Sequence, residues 1–380
     1  MAETPEYLAA GGVLTIDLGA IRANYRALRA RLGGVACAAV VKADAYGLGV
    51  AAVAPVLAAA GCRQFFVAHL QEAVALRPLV PADGEIFVLN GLPDGTECQC
   101  AALGAVPVLN SLGQIQAWQA LCRDLARPLP AALQVDTGMA RLGLSAGEWA
   151  RLAAEQQRLD GIDLVLVMSH LACAEQQDSP MNAAQLARFR AACAMRPGTR
   201  RSLANSSGIF LGPDYHFDLA RPGVALYGVA PVAGAGENPM RPVVRLQGRV
   251  VQVREIAAGD TVGYGASFRA AGASRIATVA VGYADGFLRS LSNRAVAFAG
   301  AVAVPLVGRV SMDSTTFDVS ALPDGAVRPG QFLDLIGPHN PPEALAEAAG
   351  TIPYEILTGL GRRYARRYVD DTPAGGGDAP

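Results

Sequence analysis

The residues best placed to do covalent chemistry lie in AVVKADAYGLG, residues 39–49. There an apolar run leads into a single lysine, Lys42, followed by Asp44, Tyr46, Gly47 and Gly49. An apolar run of this length reads as a buried parallel strand, and the glycines after it read as the loop into a helix. Lys42 then stands at the carboxyl end of a strand, the end at which parallel α/β proteins hold ligands. A lysine partly stripped of water there has a lowered pKa and can form a Schiff base with an aldehyde cofactor. Taken alone, a lysine at a strand end more often snorkels its charge into water.

Other polar residues also follow apolar, strand-like runs: Asp136, His170, Asn205 and Arg221. QVDTGMARLG, Gln134 to Gly143, carries Arg141, whose planar fork suits a carboxylate; on its own it is as readily a surface arginine. NSSG at 205–208 and RPGV at 221–224 place Ser206, Gly223 and Val224 where hydroxyl and amide groups can meet a phosphate at the mouth of a barrel. Arg221 does not lose its proton near neutral pH. Facing a pyridine nitrogen, it would keep that nitrogen unprotonated and the ring a weaker electron sink, which favours simple proton removal and return. Further on, GDTVGYGASF sets Tyr264 between two glycines, so that a phenol can stand clear of the backbone as an acid or base. GRVSMDSTTFDVS puts Met312 and Asp313 on a sharp polar turn.

These residues need a frame, and 380 residues with 52% hydrophobic and 17% charged content predict two packed domains. A formal net charge of -1 without long basic runs makes nucleic acid and anionic membrane poor partners, and a small uncharged or zwitterionic ligand a better one. The longest apolar stretches, such as Leu164 to Met168, are strand-sized, so no membrane span is expected. The opening MAETPEYLAAGGVL lacks the basic start and apolar core of a secretory signal, and a cytoplasmic location is expected. The seven cysteines are scattered and read as small buried hydrophobes. Cys98 and Cys100 have no second pair or nearby histidine to complete a zinc site, and no metal is expected.

From Leu14 onward strand-like and helix-like pieces alternate: TIDL with IRANYRALRARL, QFFVAH with LQEAVALR, ALQVDTG with SAGEWARLAAEQQ, LVLVMSH with NAAQLARFRAACA. Eight or nine such units in an unbroken series predict an α/β fold, a (β/α)8 barrel over 15–240. After the Gly/Pro-rich connector at 232–242, short β-branched runs with turns between them predict a mainly antiparallel β domain over 241–370. DTPAGGGDAP, 371–380, has neither apolar periodicity nor charge pairing and reads as a disordered tail.

Together AVVKADAYGLG, VDTGMARLG, ANSSG, RPGVALYG, GDTVGYGASF, AVGYADGF, GRVSMD and TIPYEI, in this order along nearly the whole chain, resemble the pyridoxal-phosphate-dependent alanine racemases. The resemblance implies a barrel and a β domain on which residues 1–14 pack. It also implies interconversion of L- and D-alanine through a pyridoxal phosphate aldimine, supplying D-alanine for peptidoglycan. By motif match Lys42 carries the cofactor and serves as one base. Tyr264, contributed by the partner subunit of a homodimer with shared active sites, is the base on the opposite face. Tyr46, His170, Asn205, Ser206, Arg221, Gly223, Val224 and Tyr354 line or bind the cofactor. Arg141 and the backbone of the partner subunit's Met312 hold the substrate carboxylate, and Tyr283 and Tyr354 narrow the entrance.

Two positions depart from that family. Many members carry a carbamylated lysine where this chain has Gln134, so the expectation is that the Gln134 amide, alone or with a bound chloride, holds Arg141. Ser202 stands where members often have a histidine, which shifts activation of the tyrosine onto neighbouring arginines. Two other functions remain in play: a serine or broad-specificity racemase on the same fold, and a non-catalytic pyridoxal phosphate carrier. The complete β domain with Tyr264 and Met312 argues against the carrier.

Overall fold

Short apolar runs between Ala36 and Ala220 form parallel strands in this computed structural model, which describes residues 5–370 apart from 233 and 235. The first is Ala36–Cys37 continued by Ala39–Val40. Gln64–Val67, Glu85–Val88, Val106–Leu109, Leu129–Gln134, Ile162–Met168, Arg200–Ser202 and Leu219–Ala220 follow in sequence order. Neighbours pair in parallel from Ala39–Val40 through to Arg200–Ser202. The circle closes through Leu219–Ala220, which pairs in parallel with Ala36–Cys37 and receives the Ala38 amide at 2.9 Å on the Ala220 carbonyl. On its other side the Asp218 amide donates to the Arg201 carbonyl at 3.0 Å and the Arg221 amide to the Ala204 carbonyl at 2.9 Å. The result is the expected (β/α)8 barrel.

Strands covered on both faces must be apolar throughout, and Phe65, Phe66, Ile86, Phe87 and Val88 are all fully buried. Each such large side chain stabilises the fold by roughly 2–3 kcal/mol, and the Phe66 and Phe87 rings stack with centroids 4.5 Å apart. At the amino ends of the strands Arg200 grips both Glu85 oxygens at 3.0 and 2.6 Å, and Gln64 donates to the same carboxylate. Burial pushes the Glu85 pKa up, and the Arg200 and Gln64 hydrogen bonds more than offset it, holding the carboxyl below its usual range. Structural polar pairing thus occupies the amino end of the barrel, and the carboxyl end is left to the residues picked out above.

The second unit is a mainly antiparallel sheet built on the long strand Val244–Ile256. That strand pairs antiparallel with Gly12–Asp17, Ser274–Val279 and Phe332–Ile336. Here one expectation is corrected. TIDL, read as the first barrel strand, belongs to Gly12–Asp17, which pairs with Val244–Ile256 and in parallel with Ala365–Val369. Residues 5–20 accordingly group with 46–48 and 242–370, and the other unit comprises 21–45 and 49–241. The Arg249 side chain binds the carbonyls of Ala10 and Tyr7, tying the stretch before that strand to the same sheet.

Among the described residues no helix is long and apolar enough to cross a membrane. All seven cysteines are free, and Cys98 is exposed where burial was expected. It sits in the helix Glu97–Leu103, whose period turns residues two apart to different faces, so that Cys100 is buried and Cys98 is not. The segment 371–380, read as a tail, lies outside the described residues.

Candidate active site

Lys42 closes the strand Ala39–Val40 at the carboxyl end of the barrel, and the backbone then does something unusual. Ala43, Asp44 and Ala45 have φ of 53, 54 and 54°, and Tyr46 has 57°, which makes a turn of left-handed helix without a single glycine. Each such residue costs roughly 1–2 kcal/mol, so the turn persists only because its surroundings impose it. The Ala43 amide donates to Glu72 Oε1 at 2.6 Å, the Ala45 amide to the Val41 carbonyl at 2.9 Å, and the Val50 and Gly49 amides to the side chain and carbonyl of Asp44. Burial, and then the Arg141 cation, lower the Lys42 pKa, while Glu72 pulls it partly back. An amine so placed reaches its neutral, nucleophilic form at lower pH than a free lysine.

Arg141 rides on a loop that the sequence builds tightly. Asp136 Oδ1 accepts the amides of Gly138, Met139 and Ala140 at 2.8, 3.0 and 3.1 Å. Thr137 is buried, its hydroxyl bonded to Ser169 and Gln185 and its carbonyl to Arg188. The amide of Gln134 does not reach the Arg141 guanidinium. It donates to the Leu142 carbonyl at 3.1 Å, so it fixes the backbone one residue beyond Arg141 and leaves the fork itself exposed. Among the described residues no acidic side chain pairs with Arg141, which keeps its charge available for a carboxylate.

His170, Asn205, Ser206, Arg221, Gly223 and Val224 line the same end. Ser206 Oγ accepts the Gly223 and Ala225 amides at 2.9 and 3.3 Å, leaving the Val224 amide a donor without a partner among the described residues. Asn205 Oδ1 takes the Gly208 amide at 2.8 Å. Arg221 is 3% exposed, and its guanidinium is held by the Ser202 hydroxyl and, at 2.6 Å, by the Ser169 carbonyl. Ser202 thus orients Arg221 from behind. Burial lowers the Arg221 pKa to about 9, which leaves it a cation at neutral pH, and no carboxylate pairs with it among the described residues. A buried cation without a counter-charge is costly unless a ligand supplies an electron-rich partner.

His170 is pushed down to about 3 by burial, then by the Arg221, Arg141 and Lys42 cations. It is therefore a neutral ring at physiological pH, suited to lie against an aromatic ligand. An unfolded histidine takes its proton near 6.5, so below that pH the unfolded state binds more protons and stability falls as pH drops toward 3. Thermal melts from about pH 7 to about pH 4 should show wild type losing more stability than His170→Asn. Parallel curves would refute the assignment.

The other unit carries the remaining candidates. Tyr46 is buried, with its ring centroid 6.1 Å from that of Tyr354, and burial followed by the Tyr354 phenol pushes its pKa up. Tyr264 is 70% exposed, lifted on a turn in which Gly263 and Gly265 have φ of 74 and 70°. That turn packs on Arg309, since a Cβ at Gly265 would lie 3.2 Å from the guanidinium. Tyr283 and Met312 are also exposed and are held side by side, the Tyr283 amide on the Ser311 carbonyl and the Ala284 amide on that of Met312, both at 3.0 Å. Only glycine fits before them: a Cβ at 282 would lie 2.3 Å from the Ser311 oxygen. Arg363 braces this corner by binding Asp285 at 2.6 and 2.9 Å and Asp313 at 2.7 Å.

The barrel end therefore offers an amine of lowered pKa, a buried unpaired arginine, a neutral imidazole, a hydroxyl-and-amide cradle and a free guanidinium fork. That donor set fits an aldehyde on an electron-rich nitrogen heterocycle with a phosphate arm, together with a substrate carboxylate. Sequence reasoning missed Glu72 and Gln185. Glu72 reads as an ordinary first-turn acid of the helix Leu70–Leu76. Gln185 is fully buried in Pro180–Ala194 and binds Thr137, the His170 carbonyl and the Ala172 amide, and only a polar residue on an apolar helix face hints at it.

Comparison with known proteins agrees with this geometry. The family model for the alanine racemase N-terminal domain matches residues 16–231, and that for the alanine racemase C-terminal domain matches 243–368. A catabolic alanine racemase of Agrobacterium fabrum is 57% identical over 360 residues, covering 95% of this chain and 92% of its own. An alanine racemase of Brucella abortus is 54% identical over 374 residues, covering 95% and 94%. The solved alanine racemase of Bartonella henselae, with covalently bound pyridoxal phosphate, superposes with a TM-score of 0.92 at 44% identity over 95% of this chain and 100% of that one. Two domain models in sequence order, and close relatives matched over nearly their full length, leave one assignment: the chain belongs to the alanine racemase family.

Proposed function

We propose that this protein interconverts L- and D-alanine with pyridoxal phosphate held on Lys42. The observation that carries the proposal is the pairing, at one end of the barrel, of an amine of lowered pKa with the buried, unpaired Arg221 cation. Ser206 and the Gly223–Val224 turn, with its Val224 amide as donor, would hold the phosphate, the neutral His170 and Tyr46 would flank the ring, and Tyr354 and Tyr283 would narrow the entrance. When bound, the cofactor supplies an electron sink for the substrate α-carbon. Arg141 and the backbone of the partner subunit's Met312 fix the substrate carboxylate, and Lys42 takes or returns the α proton on one face. Tyr264 does the same on the other. Its 70% exposure, on a turn braced by Arg309, supports donation of this phenol to a second copy of the chain in a homodimer with shared sites. Supply of D-alanine for peptidoglycan in the cytoplasm follows as the physiological role.

The test is incubation of the cofactor-loaded protein with L-alanine in deuterated water. D-Alanine carrying deuterium at the α-carbon is the expected product, formed much faster than the corresponding products from L-serine or L-lysine. Absence of α exchange in a loaded protein would restore the carrier reading, and equal rates on serine the broad-specificity one.

A further inference from the structure

Glu72 belongs to none of the motifs above, yet its carboxylate reaches the backbone beside the lysine. Oε1 accepts the Ala43 amide at 2.6 Å, and Oε2 accepts the Ala68 and His69 amides at 2.7 and 3.0 Å. It therefore joins two neighbouring strand ends. Ala68 and His69 follow the strand Gln64–Val67, Ala43 follows Lys42, and those strands pair in parallel through Ala39 with Phe65 and Val40 with Phe66. Ala43 is also the first residue of the left-handed turn, with φ 53°. The amide that Glu72 grips is thus the one through which the chain leaves the lysine and enters the left-handed turn. Charge-assisted bonds to backbone amides are about twice as strong as neutral ones, enough to offset a good part of the strain in that turn.

We propose that Glu72 is a positioning residue for Lys42. By clamping the Ala43 amide to the end of the adjacent strand it sets the exit of the chain from the lysine, and with it the direction of the amine. It also supplies the negative charge that acts on that amine. The charged and titratable groups acting with it around the lysine are the Arg141 cation and His170. The inference rests on the reading of Lys42 as the cofactor lysine.

Glu72→Gln keeps the shape but turns a donor toward backbone donors and removes the charge; Glu72→Asp keeps the charge on a shorter arm. Both variants and wild type are loaded with pyridoxal phosphate. The pH midpoint of the cofactor absorbance, kcat and KM for L-alanine, and the melting temperature are measured for each. Glu72→Gln should lower kcat by about tenfold or more with KM changed by less than about threefold. It should also move the absorbance midpoint down by about half a unit, because a nearby negative charge favours the protonated form. Glu72→Asp should recover the midpoint and part of kcat, and it decides the matter alone if the glutamine variant does not fold. A midpoint equal to wild type in the glutamine variant, or kcat within about twofold, overturns the proposal. So does a midpoint shift in Glu72→Asp as large as in Glu72→Gln. Failure of wild type to hold the cofactor on Lys42 would instead sink the underlying functional reading.

Discussion

Lys42→Ala should abolish racemisation, with kcat/KM lower by roughly ten-thousandfold or more, because both the covalent anchor and one proton carrier are lost. The fold should not suffer. The folded protein holds the lysine below its ordinary pKa, chiefly by burial, so the charged amine is a cost to the native state. That cost is present in full below the folded pKa and disappears as pH rises to the unfolded value. Removing the side chain removes the cost, and Lys42→Ala should melt at or above the wild-type temperature near neutral pH. Calorimetry of both proteins freed of cofactor, alongside initial rates of the loaded ones, checks both halves. A variant that loses activity and melts well below wild type would show Lys42 to be structural.

Tyr264→Phe is the second large effect. Positioned acid–base groups contribute about 10²–10⁴-fold, and loss of racemisation within that range is expected. The substitution leaves the ring, and the hydroxyl stands on a 70%-exposed side chain, so stability should not change. Lys42 remains, so one enantiomer of alanine should still exchange its α proton with deuterated water, with retention of configuration. Proton NMR of each enantiomer separately follows this directly. Loss of exchange from both enantiomers to the same degree would remove the two-sided proton transfer from the account.

Much of the barrel end was legible in the residues themselves. Lys42, His170 and Arg221 each follow an apolar strand, Asn205 follows the short strand Arg200–Ser202 through Leu203 and Ala204, and a parallel barrel has one end where such residues gather. The strand at Gly12–Asp17 was not legible. An alternating strand before an amphipathic helix looks locally like a β/α unit, and its partners, Val244–Ile256 and Ala365–Val369, lie more than two hundred residues away. The left-handed turn was hidden for another reason. Asp44 tolerates that conformation, but Ala43, Ala45 and Tyr46 do not favour it, so the turn is imposed by contacts such as that of Glu72. Gln134 was legible as a substitution, and its target was not: which carbonyl an amide reaches depends on the return of the loop at Leu142.

The central claim is that the amine of Lys42 carries the cofactor. Borohydride reduction of the protein loaded with pyridoxal phosphate, followed by peptide mapping, tests it most directly. The account predicts a reduced pyridoxyl label on the peptide containing Lys42 and none on the Lys42→Ala protein. Lys42 is the only lysine of the chain, so a label found at the amino terminus instead, or a cofactor that washes out after reduction, would contradict it.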